Sequence, residues 1–194
     1  MENRELIDFM HLAERLKDDI RHCVTSQGRP ESVAEHSWRV ALMAVLLEDD
    51  MKDLDTHKIL KMTVLHDLGE ALTGDIPSFL KTEDDAKKED DALYGVLDKM
   101  SSPTKEKLIA LFDEMHALET KEAKVYKALD KMEAVIQHNE SPLDTWLPLE
   151  YELNQTYGYQ EAEEAHEKLF EIRKLLVEDT KQKLIDEQGS MKKA

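Results

Sequence analysis

The chain has 194 residues, with 26 Lys and Arg against 43 Asp and Glu and a net charge of −17. That surplus of acid excludes nonspecific binding to a nucleic-acid polymer and disfavours anionic membrane surfaces, since both are gripped through Lys and Arg. It leaves open a small anionic substrate, because one metal ion or one Arg can invert the local field.

Charged residues make up 36% of the chain, Gly is 6 and Pro 5. Few helix breakers with much Leu, Ala, Glu and Lys predict an all-α fold, a single domain over 1–186 with a frayed tail at 187–194. The lone Cys23 excludes an internal disulfide framework and fits a reducing cytosol. The first residues have no signal pattern. The longest apolar run, "VALMAVLL" (40–47), is too short to span a bilayer. A soluble cytoplasmic protein with no membrane partner is expected.

In chain order, Ile7, Met10, Leu12 and Leu16 recur near helical spacing and predict a first helix over 5–21. "VTSQGRPE" (24–31) reads as a loop broken by Gly28 and Pro30. Ser32-Val33-Ala34-Glu35 has the capping-box pattern and opens an apolar, central helix through Leu47. A third helix is predicted over 56–73, broken at Gly74 and Pro77. Further helices are predicted over 81–100, over 102–118 with Ser102 and Pro103 as cap and first turn, and over 120–138. Residues 141–160 read as a connector with a short helix, before a last helix over 161–186. No internal repeat is visible.

The segment "VLHDLGEALTGDIP" (64–77) poses a chemical question. Val64, Leu65, Leu68, Ala71 and Leu72 want burial, yet His66, Asp67 and Glu70 lie among them. On a helix, His66 and Glu70 share a face, with Asp67 at its shoulder. An isolated His-Asp pair is ordinarily structural, but two further segments change the weighing. "ESVAEHSWRVALMA" puts His36 in the first turns of the most apolar helix. "VYKALDKMEAVIQ" puts Asp130 in a stripe of apolar residues, where a charge is expensive unless paired or metal-bound. Two imidazoles and two carboxylates on three helices suit a divalent transition metal (Mn²⁺, Co²⁺, Fe²⁺ or Zn²⁺), which would compensate their burial.

The order His36, His66-Asp67, Asp130 on such helices resembles the HD-domain metal-dependent phosphohydrolases, and more closely their YfbR-like branch, the 5'-deoxynucleotidases. The likeness covers about residues 5–140. A lone His-Asp is weak; three blocks in order at plausible distances are specific. The resemblance implies a helical bundle with a metal between central helices, held by His36, His66, Asp67 and Asp130. It implies Glu70 as the acid–base residue, Arg21 on the substrate phosphate and Asp75 on the sugar. Lys81 stands where the family often has Lys, and would help neutralise phosphate. The position aligned to His22 often carries Trp in that branch, where a bulky ring would press on the sugar. His22 departs from it, which puts strict deoxy preference in doubt.

The function so implied is hydrolysis of (deoxy)nucleoside 5'-monophosphates, with a nucleotide as the small-molecule partner and a homodimer as a further implication. Other HD reactions, on a nucleoside triphosphate, a cyclic nucleotide or ppGpp, are the alternative, and a metal-binding regulatory module without catalysis is another. Intact Glu70 and Arg21 weigh against the last. Cys23, His138 and the remaining His residues lack a partner pattern and are expected to be structural.

Overall fold

The buried face of each helix is set by its apolar spacing, and the faces of three central helices meet. These are α2 (Val33–Leu46), α3 (Thr56–Leu65) and α7 (Lys121–Glu140), packed on one another. Val33, Val40 and Ala44 from α2, Ile59 and Met62 from α3, and Val125, Leu129 and Met132 from α7 are buried among them. The computed structural model describes the backbone of residues 1–191 and the side chains of residues 1–187. Before and around this centre lie α1 (Asn3–Ala13), α4 (Glu70–Thr73), α5 (Glu83–Leu97), α6 (Thr104–Ala117), α8 (Glu150–Thr156), α9 (Tyr159–Ala165) and α10 (Glu167–Met191). The fold is all-α apart from one antiparallel hairpin, β1 (Ile20–Val24) with β2 (Pro30–Ser32).

That hairpin corrects two sequence expectations. The first helix ends at Ala13 and passes through a 3-10 turn, Glu14–Lys17, rather than running to 21. Asp18-Asp19 are poor helix formers, and Ile20, Cys23 and Val24 fit a strand. The predicted loop at 24–31 is the last residue of β1, the hairpin turn and the first two of the three residues of β2. Arg21, His22 and Cys23 thereby sit on a strand.

The capping box at α2 is present: the Ser32 hydroxyl accepts from Glu35 N–H at 3.3 Å, and Glu35 Oε2 accepts from Ser32 N–H at 3.0 Å. An unforeseen box, Thr82 with Asp85, starts α5. Ser102 does not cap α6, whose N-cap is Pro103 without a side-chain bond.

The predicted helix over 56–73 is interrupted at 66–69. Leu68 N–H bonds Leu65 O at 3.0 Å and Glu70 N–H bonds Asp67 O at 3.0 Å, a three-residue pattern tighter than an α-helix. Within it the Thr63 carbonyl accepts from His66 Nδ1 at 2.9 Å. Gly69 completes the turn: a Cβ there would come within 2.6 Å of Glu89 Cγ on α5. Gly74, at φ +83°, then reverses the chain after α4 and sets Asp75 beside it.

At the other end, the predicted helix over 161–186 is two helices. His166 is extended between them, and its ring Nδ1 accepts from Lys168 N–H at 3.1 Å. Helix α10 continues to Met191, so residues 187–191 of the expected frayed tail are helical; residues 192–194 lie outside the described residues.

Candidate active site

Three elements bring one set of ligand atoms together. His36 comes from the second turn of α2, His66 and Asp67 from the tight turn after α3, and Asp130 from the middle of α7. His36 Nε2 and His66 Nε2 are 3.3 Å apart. Asp67 Oδ2 lies 3.0 Å from His66 Nε2 and 3.6 Å from His36 Nε2. Asp130 Oδ1 lies 3.2 Å from His36 Nε2 and 3.6 Å from His66 Nε2.

The outer nitrogens fix the tautomers. His66 Nδ1–H donates to a carbonyl, which can only accept, and His36 Nδ1–H donates to Glu133 Oε2 at 2.5 Å. As neutral ligands, both rings would turn bare Nε2 lone pairs toward each other and toward two carboxylate oxygens. Each carboxylate oxygen lies within 3.6 Å of both Nε2 atoms, an arrangement of acceptors that repels unless a cation stands among them. The atoms of His36, His66 and Asp67 are close enough to hold a metal ion. Burial works against charge on His66, but Asp67 and Asp130 outweigh it and lift its pKa to about 10. The donor set of two imidazoles and two carboxylates fits a divalent transition metal.

Around this cluster a cavity of about 190 Å³ opens, and every further candidate from the sequence lines it: Glu70, Arg21, His22, Asp75 and Lys81. Glu70 is 8% exposed and its Oε2 has no hydrogen-bond partner among the described residues. Burial, with Asp67 and Asp75 close by, pushes its carboxyl up to about 10. It is therefore protonated at neutral pH and can donate. Arg21 does not pair with Asp18 or Asp19; its Nη1 bonds Glu31 Oε2 at 2.7 Å and stands 3.6 Å from Glu133 Oε2. Asp75 N–H donates to Asp19 Oδ1 at 3.2 Å, and burial raises the Asp75 pKa. Lys81 Nζ pairs with Glu89 at 2.5 Å. His22 Nε2 lies 3.2 Å from Glu150 Oε1, with its ring edge-to-face on Phe79 at 5.7 Å.

The profile of the HD domain matches residues 13–173. The chain belongs to the HD-domain family. This HD domain is 29% identical over 141 residues to the human 5'-deoxynucleotidase HDDC2, covering 71% of the chain and 68% of that protein. It is 31% identical over 141 residues to the 5'-deoxynucleotidase HDDC2 of Dictyostelium discoideum, covering 68% and 74%. Its fold is also that of a protein from Magnetospirillum magnetotacticum described as a predicted metal-dependent phosphohydrolase, with TM-score 0.80 at 23% identity over 93% of this chain and 95% of the other. A conserved hypothetical protein from Pyrococcus furiosus gives TM-score 0.64 at 29% identity over 90% and 99%. The HD-type metal-dependent phosphohydrolase resemblance carried by the three sequence blocks is thus borne out at the level of family and fold.

Other residues of this HD domain were not singled out from its sequence. Glu133, fully buried one turn after Asp130, orients His36 and is held by Arg39 Nε at 3.2 Å. Its position in an apolar stripe was the same signal that singled out Asp130. Glu31, 1% exposed, holds Arg21. Cys23 and His138, expected to be structural, both reach the cavity wall. Cys23 Sγ is 3.2 Å from His138 Nδ1, and His138 Nε2 is 3.0 Å from Glu150 Oε1. Nothing in the local pattern shows these contacts, which join β1, α7 and α8. Among the described residues no helix is long and apolar enough to cross a membrane.

Proposed function

We propose that this HD domain is a metal-dependent phosphomonoesterase that hydrolyses nucleoside 5'-monophosphates, deoxynucleotides among them, to nucleoside and phosphate. The observation that carries this is the joining of four inward-facing metal-type donors, the buried Glu70 and the cations Arg21 and Lys81 on one cavity. The relatives named 5'-deoxynucleotidase support the substrate class.

His36, His66, Asp67 and Asp130 would hold the metal, which when bound polarises a phosphoryl oxygen and acidifies water. Arg21 offers a planar guanidinium to the phosphate, and Glu31 fixes its orientation. Lys81 adds charge from the loop before α5. Asp75 accepts from a sugar hydroxyl. Glu70 donates its proton to the 5'-oxygen as the P–O bond breaks, and recovers one from the attacking water, so that protons balance over the cycle. The physiological metal among Mn²⁺, Co²⁺, Fe²⁺ and Zn²⁺ is read from the donor chemistry alone.

A panel of phosphorylated metabolites tests the reading. The full chain, stripped with chelator and resupplied with Mn²⁺ or Co²⁺, is assayed for phosphate release. Nucleoside 5'-monophosphates are expected to be the best substrates. Preference for a nucleoside triphosphate, a cyclic nucleotide or ppGpp would replace it with another HD reaction. Metal binding with no turnover of any of them would make the chain a regulatory module.

A further inference from the structure

Three cationic side chains line the cavity, and one of them has no part in the reading above. Lys127, on α7 one turn before Asp130, is half-buried and reaches the same cavity wall as Arg21 and Lys81. Its Nζ donates to Asp130 Oδ2 at 2.8 Å. The other oxygen of that carboxylate, Oδ1, faces His36 and His66.

The three cations differ in how they are neutralised. Arg21 has Glu31 at 2.7 Å, and Lys81 has Glu89 at 2.5 Å. Both carboxylates lie outside the four-residue cluster, so each cation keeps its own counter-charge whatever the cluster holds. Asp130 is the only carboxylate within ion-pair distance of Lys127 among the described residues. Once a cation occupies the cluster, the single charge of Asp130 is shared between that cation and Lys127. Lys127 then has the least neutralised charge on the wall, and two of its three ammonium donors are still unused. A dianionic phosphoryl group brought to the cluster meets it there.

We propose that Lys127 is a phosphate-binding residue, donating to the phosphoryl group of the bound substrate from the α7 side of the cavity. The proposal rests on the reading of the site as a phosphomonoesterase. A hydrogen bond between charged groups is worth about tenfold to a hundredfold in affinity. Lysine serves as a compact point charge, with a smaller geometric demand than the Arg21 fork.

The test compares the full-length parent, Lys127→Gln and Lys127→Arg, loaded with Mn²⁺. Metal content is measured by elemental analysis, inorganic phosphate binding by calorimetry, and KM and kcat with dAMP. The inhibition constant of deoxyadenosine is measured alongside. Lys127→Gln is expected to keep the parent's metal content and deoxyadenosine inhibition, while phosphate affinity falls and KM rises by about tenfold or more. Lys127→Arg is expected to recover part of both. Unchanged phosphate affinity in Lys127→Gln would overturn the proposal. So would a loss of metal that accounts for the weaker phosphate binding, because Lys127 would then only orient Asp130. Calorimetry reads phosphate binding without turnover. A parent that binds phosphate but hydrolyses no nucleotide would therefore refute the phosphomonoesterase reading, while the variants still decide Lys127.

Discussion

With its carboxyl pushed up to about 10 by burial and by Asp67 and Asp75, Glu70 carries a proton at neutral pH in a cavity lined with cations. Glu70→Gln keeps the shape and removes the exchangeable proton. It is expected to retain metal and nucleotide binding while kcat falls by about 10²–10⁴; a kcat within about twofold of the parent would refute the acid–base role. Position 22 bears on sugar choice. His22 is held by Glu150 and packs edge-on against Phe79, leaving a smaller side chain than a Trp at the cavity wall. A site that only crowds an extra hydroxyl discriminates by about a hundredfold at most, and a smaller side chain crowds less. The ratio of kcat/KM for dAMP over AMP is therefore expected to be modest in the parent and larger in His22→Trp. A strong deoxy preference that His22→Trp leaves unaltered would contradict this role. His36, His66, Asp67 and Asp130 were legible because charge among apolar residues is costly, and each carries that mark in its own segment. Lys127 and Glu31 carry no such mark, since a Lys or Glu near a helix face or a turn is ordinary. Only their partners, Asp130 and Arg21, reveal them.

At the scale of elements, α2 depends on its N-terminus to deliver His36. The capping box ties Ser32 to Glu35, and Arg29 adds two bonds to Glu35, at 2.7 and 3.0 Å. Ser32→Ala is expected to cost about 1 kcal/mol and to lower Tm by about 2–4 °C, read by thermal unfolding of the metal-free chain. The Arg29 bonds, with Ser32, hold the Glu35 pKa at about 2, below its ordinary 4.5. Its contribution is thus complete above the ordinary value and is lost as pH falls toward 2. The Tm deficit of Glu35→Gln is expected at pH 7 and should close over that interval; equal Tm values at pH 7 would show the cap to be idle. The capping box was readable because its residues are three apart. The hairpin of β1 and β2 was not, because five and three residues are too few to display alternation against a helical background. The interruption at 66–69 was also hidden, since apolar spacing continues through it. At that turn the His66 side chain takes the Thr63 carbonyl.

For the whole molecule, the net charge of −17 and a site built to bind an anionic ester look opposed. The fold reconciles them by gathering Arg21, Lys81 and Lys127 on one cavity, each already held by a carboxylate, beside His36, His66, Asp67 and Asp130, which would hold a cation. Composition foretold the helical class and the three motif blocks foretold the centre. The wall formed by Glu150 of α8 follows from tertiary packing and left no trace in local sequence. The most direct measurement is phosphate release from dAMP by the chelator-stripped chain titrated with Mn²⁺. No release is expected without metal, with activity rising to saturation at about one ion per chain. Full activity in the stripped chain, or no hydrolysis of dAMP at metal saturation, would contradict a metal-dependent nucleotidase centred on these four residues.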